Sequence, residues 1–572
     1  MKKFLSKYQH WVLTLFFGVC VFLFWRLRYP FALTYQEQLQ LFLFDGDYLS
    51  ERLAEPGGFA RYIAEFLVQF YNGVTIGALI IAVLLMLVQC AVGKILSVNS
   101  GGNRENRPHC LLLSFIPAIM LWYAMGDESV LLTYVVALVF ALLAILGWLR
   151  LRTCRAIVRW GVVAVAIPLL YWLIGPLVLL VAVCMMPWTM AVVAFVYAVA
   201  CILASAWVLP YPLLRLVLGV GYYRFPETLP YVLMALPVII ALLYYVVPRL
   251  PKPKQWVVFA EALVVAALLL VPKLYGFDQR KYELIEYDYL VRIGDWQGVI
   301  AKAEQRMPDL PMSVSATNLA LAMTNQLGER AFDFYQRGTQ GLLPKFERNF
   351  ATAQLTGEIY FHLGLINTAQ RFAFEAMEAI PNYNKSARAV KRLAETNLIN
   401  GQYAVARKYL KMLEKTVFYR PWAQRTMALL GDEKQINAHP LYGALRQMQL
   451  KDDILFSDRE LDKICGQLFV HNPQNLMAAQ YLLMIPILEG DISRFVSYAQ
   501  FVQSKTQYNP RVVQEAIAFA FLQQRQQPPK GLISPMILQQ LNDFGRIYSA
   551  DKNSPELGRY RNTVWYYLTV GK

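Results

Sequence analysis

Charge is scarce in this 572-residue sequence: 16% of the residues are charged, whereas 57% are hydrophobic. Soluble domains carry about 25% charged residues, so this composition excludes an ordinary soluble protein. The scarcity is also uneven, because the long uncharged runs lie within residues 1–275 and residues 276–572 read as amphipathic helices. We therefore predict an all-α chain with a polytopic transmembrane domain at 1–275 and a soluble domain at 276–572.

Familiar catalytic and metal-binding motifs are also missing. The sequence contains no P-loop, GxGxxG, HExxH or GxSxG motif, and its five histidines lack metal-ligand spacing. Six of the seven cysteines lie in the first part and only Cys465 lies in the second, which excludes a disulfide within the soluble domain. The sequence therefore predicts no metal site and identifies no cofactor.

The net charge of +16 does not indicate nucleic-acid binding. Residues 1–275 contain 20 Lys and Arg against 11 Asp and Glu, a difference of +9, and much of this excess lies at the ends of apolar runs. The positive-inside rule produces that pattern in membrane proteins. We therefore expect the lipid bilayer as a partner and no nucleic acid.

Nine apolar segments are candidates for membrane spans, because a span needs about 20 apolar residues to cross the hydrocarbon. The uncharged run at 176–210 is too long for one tilted span, so we divide it near Pro187. The predicted spans are residues 11–28, 73–93, 110–125, 129–149, 157–174, 176–190, 191–210, 229–248 and 256–274.

Basic residues give these spans an orientation. They precede the first span and follow the second, fourth and eighth, so all of them fall on one side if the N-terminus is cytoplasmic. An odd number of spans then places residues 276–572 outside. This predicts a multi-pass protein of the bacterial inner membrane with a periplasmic soluble domain. One span more or fewer would place that domain in the cytosol.

The first outer loop, residues 29–72, is rich in acids. Its stretch "YQEQLQLFLFDGDYLSERLAEPGG" contains Glu37, Asp45 and Asp47, our candidate catalytic carboxylates, although a merely solvated loop would look the same. The apolar positions of "FARYIAEFLVQFY" recur with helical spacing after a Pro-Gly-Gly breaker. This predicts an amphipathic helix at 59–71 that lies in the membrane interface.

Four further residues of the predicted outer face are candidates for substrate binding. "YPLLRLVLGVGYYRFPETLP" carries Arg215 and Arg224, and the second outer loop carries the adjacent Asp127 and Glu128. Arginines and acids on one face suit a polar headgroup or a sugar phosphate. The alternative is that acids are simply tolerated outside. Glu261, inside the last span, is either functional or placed to reach the cytoplasmic interface.

The second part has an approximate repeat. Turn glycines at 294, 328, 364 and 401 are separated by 34, 36 and 37 residues, close to the tetratricopeptide period. The best copy is "GEIYFHLGLINTAQRFAFEAMEAIP", the copy around Gly328 is weak, and Gly490 marks another unit. We predict a tetratricopeptide-like α-helical solenoid. Its concave face would bind protein partners, or the solenoid would merely support the membrane domain.

The whole chain resembles a family of uncharacterised bacterial inner-membrane proteins typical of Bacteroides-type organisms. The resemblance is carried by "YQEQLQLFLF", "DYLSERLAEPGG", "FLVQFY" and "LGLINTAQRFAFEAMEA" and covers most of the chain. It implies a multi-pass membrane protein but no established activity.

More distantly, the membrane half resembles the C-type glycosyltransferases in architecture. That resemblance implies a sugar taken from a lipid-linked donor, an acid of the first outer loop as general base, and in some members a tetratricopeptide tail. Glu37 or Asp47 would correspond to the acid, and Arg215 or Arg224 would meet the donor phosphate. The adjacent acid pair of many members is absent from the first loop; only Asp127 and Glu128 form such a pair.

Two functions remain open at this point. One is a glycosyltransferase-like enzyme acting on the outer face, with a carboxylate as general base. The other is a non-enzymatic scaffold that recruits proteins through the repeats. A transporter is disfavoured, because charges inside the spans are almost absent.

Overall fold

A computed structural model describes residues 2–101, 107–224, 229–345, 347, 349–380, 385–450 and 460–571. Within these ranges the regular structure is helical, which confirms the predicted all-α class, and the β-structure consists of two isolated bridges. The chain divides into two compact units. Unit 1 holds residues 1–282 together with Lys415–Phe418, and unit 2 holds residues 283–414 and 419–572.

Unit 1 is built from long apolar helices with shorter helices between them. A π-helical turn, Phe24–Arg28, follows α1. Short 3₁₀-helices follow α4 (Gln69–Asn72), α9 (Gly175–Leu177) and α13 (Val247–Arg249). The helices are α1 (Lys2–Leu23), α2 (Pro30–Gln38), α3 (Gly46–Leu53), α4 (Gly58–Val68), α5 (Val74–Asn99), α6 (Arg107–Leu113), α7 (Phe115–Ala124), α8 (Leu132–Leu151), α9 (Ala156–Ile174), α10 (Val178–Val183), α11 (Trp188–Val208), α12 (Leu213–Leu218), α13 (Tyr231–Val246), α14 (Gln255–Leu268) and α15 (Leu270–Tyr275).

Seven helical segments of the described residues are long and apolar enough to cross a membrane, so the predicted count of nine is not confirmed. In place of the predicted span at 110–125 the structure has two short apolar helices, α6 and α7, which are not among the seven. The predicted spans at 157–174 and 176–190 are replaced by one apolar run, which contains α9 and the six-residue α10. The seven segments are His10–Arg28, Val74–Asn99, Leu132–Leu151, Ala156–Val183, Trp188–Val208, Tyr231–Arg249 and Gln255–Tyr275.

The run at Ala156–Val183 is not one straight helix, because Gly175 has a φ of +71° and Pro176 follows it. Helices α9 and α11 run parallel to each other. The Tyr197 hydroxyl donates to the Ala164 carbonyl (3.3 Å), and the Tyr171 hydroxyl meets the Ser205 hydroxyl (2.7 Å). The sequence separation is nearly the same in both pairs, 33 and 34 residues, so the two helices point in the same direction. Residues 175–187 must therefore carry the chain from the end of α9 back toward its beginning, where α11 starts.

Several polar side chains between the apolar helices are paired with one another. Thr14 donates to Gln89 (2.8 Å), and the Gln89 amide donates to Ser114 (2.8 Å), so a hydrogen-bonded chain joins α1, α5 and the α6–α7 break. His109 Nδ1 lies 2.5 Å from Glu261 Oε1 and thereby links α6 to α14. Polar pairs of this kind tie neighbouring helices together in an apolar solvent.

Unit 2 is a series of short helices joined by tight turns. Its helices are α16 (Gln279–Ile293), whose first residues belong to unit 1, α17 (Trp296–Gln305), α18 (Pro311–Met323), α19 (Leu327–Arg330), α20 (Phe350–Leu363), α21 (Ile366–Glu378), α22 (Ala387–Ile399), α23 (Tyr403–Glu414), α24 (Arg420–Leu429), α25 (Glu433–Ala438), α26 (Tyr442–Met448), α27 (Leu461–His471), α28 (Leu476–Glu489), α29 (Ile492–Gln503), α30 (Arg511–Gln523), α31 (Pro535–Ala550) and α32 (Val564–Thr569).

Glycines in the left-handed conformation end the first helix of several helical hairpins. Gly294, Gly364, Gly401 and Gly490 have φ values between +72° and +95° and stand between the two helices of a pair. Glycine adopts this conformation without a Cβ penalty and often terminates helices in this way. Gly328, the fifth glycine of the sequence pattern, is different: it lies inside α19. Four of the five expected turns are therefore present.

The inner helices of unit 2 are buried on nearly all sides. Almost every residue of α18, α20, α22 and α28 is buried, including polar ones. Helix α28 packs across the other helices through side-chain amides: Gln480 donates to the Ala322 carbonyl (3.3 Å) and Asn475 to the Leu363 carbonyl (2.9 Å). The inner faces, which an open solenoid would leave to a partner, are covered by the chain itself.

Candidate functional site

The candidate residues lie at one end of unit 1, which carries helices α2–α4 and the loops at 125–131, 172–177 and 209–224. We call it the loop end. Its turn at residues 56–58 packs against the end of α9, because the Gly57 N–H donates to the Trp172 carbonyl (2.8 Å) and the Trp172 indole donates to the Leu53 carbonyl (2.7 Å). A Cβ on Gly58 would lie 1.7 Å from the Arg52 carbonyl oxygen. Glycine is therefore required where α3 turns into α4.

A buried group of charges, which we call the Glu65 cluster, joins α3 to α4. The Glu65 carboxylate accepts hydrogen bonds from the Tyr48 hydroxyl (2.5 Å), Arg52 Nε (2.8 Å) and Arg61 Nε (2.9 Å). Arg61 also pairs with Glu55 (2.7 Å). The side chains of Glu65, Arg52 and Arg61 are each at most 6% exposed. Both arginines thus have carboxylate partners inside the protein.

These contacts control the pKa of the central carboxyl group. Burial raises the pKa of Glu65, but the charges of Arg61 and Arg52 and the hydrogen bond from Tyr48 outweigh that effect. The pKa of Glu65 therefore lies below its ordinary value. The carboxylate stays ionised at neutral pH, and the cluster has the properties of a structural ion network.

The orientation of α4 differs from the sequence-based expectation. The helix forms as expected, over Gly58–Val68 with a 3₁₀ extension, but its polar residues Arg61, Glu65 and Gln69 are buried and its apolar face is only half-buried. An interfacial helix would turn its polar side to water. Here the ion pairs of the Glu65 cluster turn that side inward.

The three candidate catalytic acids occupy different environments. Glu37 is buried on α2, at 3% exposure. Asp45 has an extended backbone just before α3 and pairs with Lys415, whereas Asp47 is exposed in the first turn of that helix. Lys415 holds the pKa of Asp45 below its ordinary value through a hydrogen bond. Of the three acids, only Glu37 is held in a buried environment.

The loops at 127–131 and 222–224 are joined by an antiparallel bridge. Val130 pairs with Tyr223, the Leu131 N–H donates to the Tyr222 carbonyl (3.1 Å), and the Arg224 N–H donates to the Ser129 carbonyl (2.7 Å). This backbone pairing brings Arg224 beside Asp127 and Glu128, which are almost a hundred residues earlier in the chain.

The guanidinium of Arg224 is buried beside the acid pair. Its residue is 1% exposed, and none of Nε, Nη1 and Nη2 has an acceptor among the residues that the structure describes. Burial lowers the pKa of Arg224 to about 10, although Tyr35, Glu128 and Asp127 act in the opposite direction. A buried cation without a hydrogen-bonded counter-ion is costly and uncommon in folded proteins.

The two neighbouring carboxylates are engaged elsewhere. Asp127 accepts hydrogen bonds from the Tyr223 hydroxyl (2.8 Å) and from the Ser129 N–H (2.8 Å). Glu128 forms an ion pair with Lys281. We call Arg224, Asp127, Glu128, Tyr223 and Lys281 the Arg224 site. It contains three of the four candidate substrate-binding residues.

Arg215, the fourth candidate, belongs to the other group of charges. Burial lowers its pKa, and its electrostatic neighbours are Tyr211 and Arg61. The Tyr211 hydroxyl donates to Glu55 (2.5 Å), which also pairs with Arg61. The structure therefore separates the two candidate arginines: Arg215 lies with the Glu65 cluster, and Arg224 lies with the acid pair.

Several residues of both groups have no motif that would reveal them in the sequence. Arg52, Arg61 and Glu65 look like the water-facing side of an amphipathic helix, and Lys281 lies more than 50 residues from the nearest other member of its site. Within the described ranges, no group of three or more His, Cys, Asp and Glu side chains could hold a metal ion.

Comparison with known families gives one match. The model of a family of unknown function (DUF6057) matches residues 6–571, nearly the whole chain. No curated protein and no solved structure matches. The expectation of an uncharacterised family that covers most of the chain is thereby confirmed.

Proposed function

We propose that this chain, which belongs to that family of unknown function, is a glycosyltransferase-like membrane enzyme that binds a lipid-linked sugar donor. The proposal is supported by the loop end, which buries an arginine without a hydrogen-bond partner among the described residues. Transfer of an ionised group into a protein interior costs several kcal/mol unless a counter-charge repays it. Arg52 and Arg61 have such counter-charges, whereas among the described residues Arg224 has none within hydrogen-bond distance. An anionic group of a ligand would complete the Arg224 site.

Phosphate suits this position. A guanidinium presents planar N–H donors that match two oxygens of a phosphate or carboxylate. The neighbouring apolar helices would hold the lipid chain of the same ligand, because segments of unit 1 are apolar enough to cross a membrane. A lipid-linked sugar phosphate combines both properties in one molecule. Glu37 and Asp47 remain the proposed general bases, with Asp45 less favoured because Lys415 holds it.

We also propose nine crossings, with the N-terminus in the cytoplasm and the loop end and unit 2 outside a bacterial inner membrane. The parallel course of α9 and α11 supports a return crossing at residues 175–187. The pair α6–α7 supplies another crossing, since Cys110 lies beside Ser100 and Ser114 beside Gln89, antiparallel to α5. The six other long segments, α9, the return at 175–187 and the pair α6–α7 make nine.

Binding of a polyprenyl phosphate to the purified full-length protein in detergent tests the proposal. We expect Arg224→Met to weaken binding at least ~30-fold, because truncation of a buried charge-paired group costs about 2–5 kcal/mol. Arg150→Met, which removes an exposed arginine at the far end of α8, is the control and should leave binding unchanged. Equal binding of polyprenol and polyprenyl phosphate would refute the proposal.

A separate measurement addresses the chemistry. Glu37→Gln and Asp47→Asn should be compared with wild type for sugar transfer from a polyprenyl-phosphate sugar, at matched protein levels. Loss of transfer in either variant with phosphate binding retained would assign the general base. Unchanged transfer in both would remove these acids from the mechanism.

A scaffold is the alternative function. Repeated helical hairpins favour it, and so does a surface cavity of about 300 Å³ on α21, where Phe374 is 41% exposed among Arg371 and Glu375. A partner would dock on this outer helix, because the inner helices are covered. Capture of a partner by the full-length protein that is lost in Phe374→Ala, without any polyprenyl-phosphate binding, would favour this alternative.

A further inference from the structure

In the part of the chain that the structure describes, the Arg224 guanidinium has no hydrogen-bond partner, although two carboxylates stand beside it. The backbone bridge places Arg224 opposite Ser129, directly after Asp127 and Glu128. In most proteins an arginine so close to two acids forms an ion pair with one of them. A specific arrangement must therefore keep both acids away from the guanidinium.

Asp127 is held by groups of its own loop and of the bridge. Its Oδ1 accepts the Ser129 N–H and its Oδ2 accepts the Tyr223 hydroxyl, each at 2.8 Å. Both oxygens are occupied by neutral donors that the antiparallel bridge fixes in position. Asp127 is therefore anchored by local geometry.

Glu128 is held differently, by a charge from a distant part of the chain. Its carboxylate pairs with the Lys281 ammonium, which lies in α16 and within unit 1. The Glu128 side chain is 10% exposed and that of Lys281 is 53% exposed. Burial lowers the pKa of Lys281, but Glu128 more than offsets this and raises it above its ordinary value, so the ammonium is charged at neutral pH.

We propose that Lys281 is a positioning residue that keeps the Arg224 site open to an external phosphate by holding Glu128 away from the guanidinium. This inference rests on the proposed phosphate binding at Arg224. Without the Lys281 charge, Arg224 remains as a cation within electrostatic reach of Glu128. The carboxylate would then turn inward and occupy the donors that the phosphate needs.

This arrangement makes the acid an internal competitor of the ligand. A carboxylate and a phosphate use the same kind of paired N–H donors along an edge of a guanidinium, so each donor that Glu128 takes is lost to the phosphate. Lys281 does not touch the phosphate in this scheme. Its effect on affinity therefore depends entirely on the presence of the Glu128 charge, which distinguishes it from a residue that simply supports the fold.

A double-mutant cycle with the purified full-length protein tests the inference, with polyprenyl phosphate in detergent as the probe. We expect Lys281→Met to raise the Kd about tenfold or more when Glu128 is present, and by less than about threefold when Glu128 is already glutamine. Lys281→Arg, which keeps the charge, should recover the affinity that Lys281→Met loses. Lys505→Met, a substitution at an exposed lysine of unit 2, serves as the control.

The outcomes separate this inference from the proposed function. If wild type binds the phosphate through Arg224 but Lys281→Met binds equally well, the inference is wrong and the proposed function stands. If the double variant stays as weak as Lys281→Met, Lys281 acts on the ligand or on the fold, and the inference is again wrong. If wild type shows no phosphate-dependent binding, both fall.

Discussion

Replacement of Glu65 by glutamine gives the sharpest test of the energetics at the loop end. Glutamine keeps the volume of the side chain but removes the charge that Arg52 and Arg61 share. Both guanidinium groups would remain buried, at 6% and 4% side-chain exposure. Removal of one partner from a buried ion pair destabilises a protein by about 3–5 kcal/mol. We expect Glu65→Gln to lose a free energy of unfolding of that size.

Glu51 provides a matched control, because it pairs with the same arginine. Its carboxylate lies 3.2 Å from Arg52 Nη1, but its side chain is 61% exposed. Exposed ion pairs contribute about 0.2–1 kcal/mol, since water and salt screen them. Glu51→Gln should therefore stay close to wild type. The two variants make the same chemical change on the same partner and differ in burial.

Thermal unfolding of the full-length protein in one detergent is the assay. At about 2–4 °C per kcal/mol for a unit of this size class, Glu65→Gln should lower the Tm by roughly 6–20 °C, and Glu51→Gln by less than about 4 °C. Equal shifts for the two variants would refute the reasoning, because burial would then have no effect on the strength of the pair.

The pH dependence supplies a second readout. The pKa of Glu65 is lowered from an ordinary value of 4.5, so its stabilising contribution is complete above that pH and is lost as the pH falls through the folded-state pKa. Below pH 4.5 the Tm difference between wild type and Glu65→Gln should therefore shrink. A difference that widens on acidification would contradict the ion-pair assignment.

Further predictions concern backbone packing, unit 2 and its pH response. Gly58→Ala should destabilise unit 1 by about 1–3 kcal/mol in the same Tm assay, because its Cβ would lie 1.7 Å from a carbonyl oxygen. Gly46→Ala is the control and should be neutral, because its Cβ would meet nothing within 4 Å. Arg388→Met removes the arginine that pairs with buried Asp288, whereas Glu358 keeps its ion pair with Arg392. This variant should cost about 3–5 kcal/mol in denaturant unfolding. The exposed Arg371→Met should cost less than about 1 kcal/mol. Burial raises the pKa of Glu515 to about 7, so its contribution to stability is present below pH 4.5 and lost as the pH rises through 7. Glu515→Gln should therefore gain stability relative to wild type between pH 5 and pH 8, and no relative gain would show that the carboxyl titrates normally.

Local signals in the sequence were sufficient for the helical class and for most turns. A glycine that follows a helix and precedes another amphipathic segment adopts the left-handed conformation at Gly294, Gly364 and Gly401, as the repeat spacing implied. Gly328 fits the same spacing, but it lies inside a helix. Spacing alone does not distinguish a turn from a glycine whose missing Cβ makes room for other side chains, here Tyr508 and Pro510.

The orientation of α4 could not be predicted from its periodicity. The pattern of apolar residues fixes the helix axis and its two faces, but not what each face meets. Arg61 and Glu65 look like solvated residues until the partner of each is known, and Arg52 belongs to a different helix. Ion pairs between helices are tertiary information that one helical pattern does not contain.

The Arg224 site was accessible to sequence reasoning only in part. The sequence places Arg224, Asp127 and Glu128 on one predicted outer face, and the bridge between their loops joins them in space. Lys281 lies just inside the segment predicted as the soluble domain, 276–572, so the sequence does not connect it with these three residues. Its ion pair with Glu128 depends on the position of the first turn of α16 in the folded protein, which no sequence motif encodes.

The buried arginines of the loop end have opposite surroundings, and this difference supports a ligand site at Arg224. In the Glu65 cluster, Arg52 and Arg61 converge on one buried carboxylate, as expected for groups that hold α3 against α4. At the Arg224 site, two carboxylates are adjacent and both are bound to other donors. A chain under selection for stability alone would let one of them neutralise Arg224, since the unpaired charge is costly. Local rules are broken at functional sites more often than elsewhere, so the unpaired Arg224, and not the larger Glu65 cluster, is where a ligand is expected.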